Sequence, residues 1–258
     1  MQASLKSATA AIREEFSVEI VDGPETLRER RRLCRQLWRL QDAYETNLCR
    51  AEHAGGGGCV HLGVAHHRAH HVVVRHRTGG RMAGLARLVL PSPETPNDIL
   101  PLQRVCDPCI TSRLPLRETA EVSHFILSPA LKAMSPASQG LLRLSLIRGV
   151  AMLTERFGLS HLCALVEPSL RRLLPSIGIH LSTIGPSVEY RGIRQLAFCQ
   201  IDELLYRMRQ EQPAAWGFIT DAGRLPSHWL VAPGDTILSN TRNSRRFSAP
   251  ETARQERP

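Results

Sequence analysis

One stretch constrains the fold more than any other. From Gln139 to Phe157, Leu142, Leu146, Val150, Leu153 and Phe157 recur at helical spacing, and Gly158 follows as a stop signal. Strand-like runs bracket this helix, Glu118–Leu127 before it and His161–Val166 after it. A long amphipathic helix between two strands needs a sheet to bury its apolar stripe, which points to an α/β or α+β domain with a mixed sheet flanked by helices.

The remaining elements follow from shorter signals. Phe16–Val21 alternates and reads as a strand, and Asp22-Gly-Pro-Glu starts a turn. From Thr26 to about Tyr44, Leu33, Leu37, Leu40 and Tyr44 fall on one helix face, with Arg30, Arg31, Arg35 and Arg39 on the other. Gly55–Gly58 reads as a flexible loop. Three strand-like runs come next, Cys59–His66, His70–Arg75 and Arg81–Leu90, with Thr78-Gly79-Gly80 as a hairpin turn. Six prolines between positions 91 and 117 predict a long loop with one helical turn. Past the central helix, a short helix spans Ser169–Ser176, strands span His180–Ile184 and Gln195–Ile201, and a last helix spans Asp202–Gln210. The expected organisation is a leader over 1–15, one domain over 16–210, and a C-terminal extension over 211–258 whose last ~20 residues are polar and disordered.

Composition narrows the class. Hydrophobic residues make up 42%, as in a soluble globular protein, and no apolar run approaches the ~20 residues of a membrane span. The start of the chain shows no secretory pattern, so a cytoplasmic location with reduced thiols is expected for the seven cysteines. The net charge of +9, carried mostly by arginine, favours acidic partners or simply keeps the chain soluble. A nucleic-acid-binding role finds no motif to support it, and 5% aromatic residues leave few stacking platforms. Six histidines between His61 and His76 lack ligand spacing for a metal, because neighbouring strand residues point to opposite faces. Cys106-Asp-Pro-Cys109 lacks the second pair that a zinc site needs.

Three segments carry a resemblance. Gly84-Leu-Ala-Arg87-Leu-Val-Leu-Pro91 and Glu121-Val-Ser123-His124-Phe125 resemble strand motifs of acyl-homoserine-lactone synthases. Glu167-Pro-Ser169-Leu170, running to Gly178-Ile and followed by Glu189-Tyr190-Arg-Gly192-Ile-Arg194, resembles N-acyl amino acid synthases and the exosortase-associated acyltransferases. All are similar to GNAT folds. The resemblance, over roughly residues 16 to 205, implies an N-acyltransferase moving a fatty acyl group from a carrier thioester to the amine of an amino acid or similar small molecule. Two departures bear on the acceptor. The family arginine after Glu-x-Ser is His124 here, and the N-terminal helix matches poorly, so an ordinary amine is expected rather than S-adenosylmethionine.

The chemistry assigns roles. An ammonium has no lone pair, so the acceptor must lose a proton, and Glu121 on a half-buried strand is the candidate base. The alternative for Glu121 is a structural ion pair with Arg87, which can also orient it or hold a substrate carboxylate. His124, three residues on, is a further candidate catalytic residue, though it faces the opposite side unless a bulge intervenes. Ser123 and Phe125 are candidate substrate contacts, as are Glu189 and Arg194 around a turn at Gly192. The resemblance further implies that strands Glu118–Leu127 and His161–Val166 splay apart to admit the pantetheine arm, with backbone N–H groups polarising the thioester. No resident cofactor is expected, and the donor is an acyl-phosphopantetheine, on acyl carrier protein or coenzyme A. Ser135-Pro-Ala-Ser-Gln-Gly140 lacks the glycine pattern that cradles coenzyme A pyrophosphate, which favours the carrier protein. Arg143, Arg148 and Arg156 on the long helix, with Arg171 and Arg172 on the short one, form the expected docking face for that acidic partner. Peripheral membrane contact is left open, no nucleic acid is expected, and a catalytically degenerate GNAT-fold binding module is the rival.

Overall fold

The computed structural model describes residues 14–21, 68–91, 100–190 and 192–223. The helix expected over Thr26–Tyr44, the glycine loop, the strand over Cys59–His66 and the polar tail lie outside these residues. Seven strands form one sheet: β1 (Phe16–Val21), β2 (Ala69–His76), β3 (Met82–Val89), β4 (Thr119–Leu127), β5 (His161–Val166), β6 (Ser182–Glu189) and β7 (Ile193–Gln200), in the order β1-β2-β3-β4-β5-β7-β6. Every neighbouring pair is antiparallel except β4 and β5, which are parallel. The helices are α1 (Pro108–Thr111), α2 (Pro136–Arg156), α3 (Pro168–Leu173), α4 (Ile201–Glu211) and α5 (Pro213–Ile219). The mixed sheet flanked by helices is the architecture the sequence predicts. No described helix is long and apolar enough to cross a membrane.

Helix α2 is the crossover between the two parallel strands. Ser135 caps its start by accepting from the Ser138 N–H at 3.2 Å, with Pro136 in the first turn, and Gly158 at φ 61° follows its end. Its apolar stripe buries Leu142, Leu146 and Leu153 completely, against Val72, Val74, Ala86, Leu88 and Ala120 of the sheet. Gly149 lets helix and sheet approach closely, since a Cβ there would lie 2.3 Å from Val72 Cγ1. Gly149→Ala is expected to destabilise the fold by about 1–3 kcal/mol through overpacking, less the ~1 kcal/mol that alanine gains in helix propensity. A lowered urea midpoint with an unchanged m-value checks this; an unchanged midpoint would show that the helix shifts freely.

The opposite face of the sheet is covered by the proline-rich segment. It carries more order than a loop with one helical turn: 3-10 turns at Pro101–Arg104 and Leu116–Glu118 flank α1. Leu100, Leu102, Cys106 and Leu114 pack on Val89, Cys163 and Leu196, forming a strap. The strap abuts edge strand β6 at a bulge, where Gly185 has φ 71° and an added Cβ would meet Ile110 Cδ1 at 2.5 Å. Strand β6 runs to Glu189, beyond the expected His180–Ile184, and takes in the first residue of the expected turn around Gly192. As a largely exposed edge strand it has no apolar alternation to reveal it, and its bulge accommodates Pro186. Beyond residue 211, α5 buries Ala215 and Ile219 in the main core.

The histidine-rich segment serves packing where it is described. His70 lies against the Phe157 ring at 4.5 Å, His76 lies against Phe16 at 4.4 Å, and His71 is buried. Asp107 of the Cys-x-x-Cys segment caps α1 by accepting from the Cys109 N–H.

Candidate active site

The site begins where two parallel strands stop pairing. β4 and β5 share three rungs, Thr119↔His161, Ala120↔Leu162 and Glu121↔Cys163, and then part. Beyond the last rung, Val122–Leu127 on one side and Ala164–Val166 on the other line a cavity of about 620 Å³. That volume lies within the usual range of ~300–1,000 Å³ for small-molecule sites. Leu102 of the strap and Ile147 and Val150 of α2 all line it, so the opening passes through the sheet from one face to the other.

Glu121 sits on the last rung and is only 5% exposed. Its Oε2 accepts from the Leu102 backbone N–H at 2.8 Å. Burial pushes its carboxyl up to about 7, partly offset by that N–H and by the Arg87 guanidinium. The same burial, with the Glu121 charge, holds the facing Cys163 thiol well above its ordinary value, so it stays a neutral wall of the cavity. Arg87 pairs in register with Ser123 and donates from Nε to Ser123 Oγ at 2.9 Å. Arg87, Glu121 and Ser123 thus share the strap side of the sheet.

His124 occupies a β-bulge. Leu85↔Ile126 and Arg87↔Ser123 leave Ala86 opposite both His124 and Phe125, and His124 has φ 52°. The extra residue resets the alternation, sending Phe125 and Leu127 to the α2 side. His124 and Phe125 both line the cavity.

The other expected residues divide. Arg194 lines the cavity; its Nη2 donates to Glu167 Oε1 at 2.8 Å and its Nε to the Tyr190 carbonyl at 3.0 Å. Glu189 ends β6, is exposed and does not line the cavity. The five arginines expected to form one docking face are separated. Arg143 lines the cavity, whereas Arg148, about 140° further round the helix, pairs with Asp221 at 3.4 Å and donates to the Phe218 carbonyl. Arg156 lies over the Phe157 ring at the far end of α2. Arg171 donates to Gln195 Oε1, tying α3 to β7, and Arg172 is exposed beside it.

The Leu102 amide and Glu167 join the site without a role expected from the sequence, although Glu167 stands in a quoted motif, and Arg143, expected on a docking face, lines the cavity. Among the described residues no group of three or more His, Cys, Asp or Glu side chains is arranged to hold a metal ion.

Comparison with known proteins gives the geometry a setting. A scan of protein-family profiles finds no match to this chain, and a search of curated protein sequences finds none either. Solved structures do match. BjaI, a CoA-dependent acyl-homoserine lactone synthase solved with MTA, superposes with a TM-score of 0.51 at 16% identity, covering 81% of this chain and 89% of BjaI. TofI, solved in a ternary complex with an inhibitor and MTA, gives 0.51 at 18% identity, covering 77% of this chain and 99% of TofI. The chain shares the fold of these two proteins over most of its length. The parted β4 and β5 are the strands that the resemblance implies splay apart, and the bulge at His124 interrupts the strand alternation there.

Proposed function

We propose that the protein is an N-acyltransferase, moving a fatty acyl group from a phosphopantetheine thioester to the amine of an amino acid or similar small molecule. One observation carries this reading: a buried carboxylate, Glu121, stands at the point where two parallel strands part around a cavity that opens to both faces of the sheet. The likeness to BjaI supports the choice of acyl transfer. The catalytic unit comprises residues 16–210 together with α5.

The chemistry follows from placement. A carboxyl that titrates near 7 is substantially ionised at neutral pH and takes a proton from the acceptor ammonium. The freed nitrogen attacks the thioester carbon, the C–N bond forms, and the C–S bond breaks to release the pantetheine thiol, which leaves with a proton. Backbone N–H groups of β5 that no longer pair with β4 are available to the developing oxyanion. Arg87, held by Ser123, steadies the Glu121 charge and offers donors to an acceptor carboxylate. Ile147, Val150, Leu162, Leu170 and Leu174 receive the acyl chain on the α2 side.

Incubation with acyl carrier protein or coenzyme A thioesters and an amino acid mixture, read by mass spectrometry, should yield N-acyl products. Thioester binding without product would instead make the chain a binding module. The absent glycine pattern before α2 supports acyl carrier protein as donor. Arg172→Glu is then expected to raise KM for the carrier thioester about tenfold and leave a short pantetheine thioester unaffected. Equal effects on both donors would remove α3 from carrier docking.

A further inference from the structure

Three arginines line the cavity, and two are satisfied within the protein: Arg87 by Ser123, and Arg194 by Glu167. Arg143 is different. It is half-buried on α2, and among the described residues it has no hydrogen-bond or ion-pair partner. It lies one turn after Gln139 and one turn before Ile147, and with Val150 these residues form a single cavity-lining stripe along the helix. The stripe changes from amide to cation to hydrocarbon within three turns. Leu162, Leu170 and Leu174 complete the apolar part.

A guanidinium that lines a cavity beside an aliphatic wall, with no counter-charge from the described residues, is open to an anionic ligand. It presents N–H donors in a fork that matches a carboxylate. The carboxylate of an acceptor amino acid is not the natural occupant, because the acceptor amine must reach Glu121 on the strap side, while α2 covers the other face. The ligand that fits has an anionic head and a long apolar tail. We propose that this chamber binds a free long-chain carboxylate, with its head on Arg143 and its tail along Ile147, Val150, Leu170 and Leu174. Where the chamber also receives the acyl chain of the donor, which rests on the proposed function, the free acid competes with the donor, and accumulated fatty acid restrains the enzyme.

The binding itself needs no acyl transfer, so it is tested without donor. Isothermal titration of the full chain with dodecanoate and with dodecanol separates head from tail. Arg143→Gln and Arg143→Lys keep most of the aliphatic stem, and thermal melting checks that both remain folded. Dodecanoate should bind the wild type, bind Arg143→Gln about tenfold or more weakly, in line with a hydrogen bond to a charged group, and bind Arg143→Lys with intermediate affinity. Dodecanol should bind all three alike. Dodecanoate binding that ignores the Gln substitution, or no binding by the wild type, overturns the proposal. Separate assays of acyl transfer judge the proposed function: a chain that binds dodecanoate through Arg143 yet transfers no acyl group keeps this site and loses that reading.

Discussion

Glu121→Gln should lower kcat for acyl transfer by about 10²–10⁴-fold while leaving KM for the thioester little changed, the usual range for removal of a positioned base. The amide keeps an oxygen to accept from the Leu102 N–H, so the strap stays anchored and the loss is chemical rather than structural. The pH profile makes the test sharper. With a carboxyl titrating at about 7, wild-type kcat/KM should climb with pH up to that value and then level off. The variant should lose this limb and retain only whatever dependence the amine itself brings. Activity within about threefold of wild type would remove Glu121 from the reaction.

The second large effect is on stability. The folded carboxyl of Glu121 keeps its proton up to about 7, whereas the unfolded chain releases it near 4.5. Between these values the native state binds more protons than the unfolded state, so stability falls as pH rises and levels off above about 7. The total is on the order of 3 kcal/mol, from 1.36 kcal/mol per pKa unit. Glu121→Gln removes this slope and should be the more stable protein at pH 8, by a similar amount. Urea denaturation of both proteins from pH 5 to pH 8 measures the difference. Parallel curves for the two would show that Glu121 titrates normally and would leave its role as a base unsupported. A variant that gains stability as it loses turnover is the signature of a group kept for function at the expense of folding.

Legibility in the sequence tracked periodicity. Helix α2 and strands β4 and β5 were readable because each buries a regular stripe: Leu142, Leu146 and Leu153 on the helix, Ala120 and Val122 on one side of β4. The strap was not, because its order comes from short turns and from burying isolated residues such as Leu102 and Leu114, which leave no period. Strand β6 was cut short for the related reason that an exposed edge need not alternate. Within the site, Glu121, Arg87 and Ser123 are legible because they stand in the motifs that carry the resemblance, and strand parity makes a bulge the condition for His124. The Leu102 amide was not legible, since a backbone donor carries no residue signature. Arg143, Arg148 and Arg156 look alike on a linear chain, while the helix turns each towards a different neighbour.

The three-rung ladder between β4 and β5 has a consequence for how such a protein can change over time. Residues 119–121 answer to the partner strand and the core, so drift there threatens the whole domain. Residues 122–127, on the same strand, face empty volume on their β5 side and answer to whatever molecule fills it. Selectivity can therefore wander among descendants through the second half of one strand while the first half holds the architecture constant.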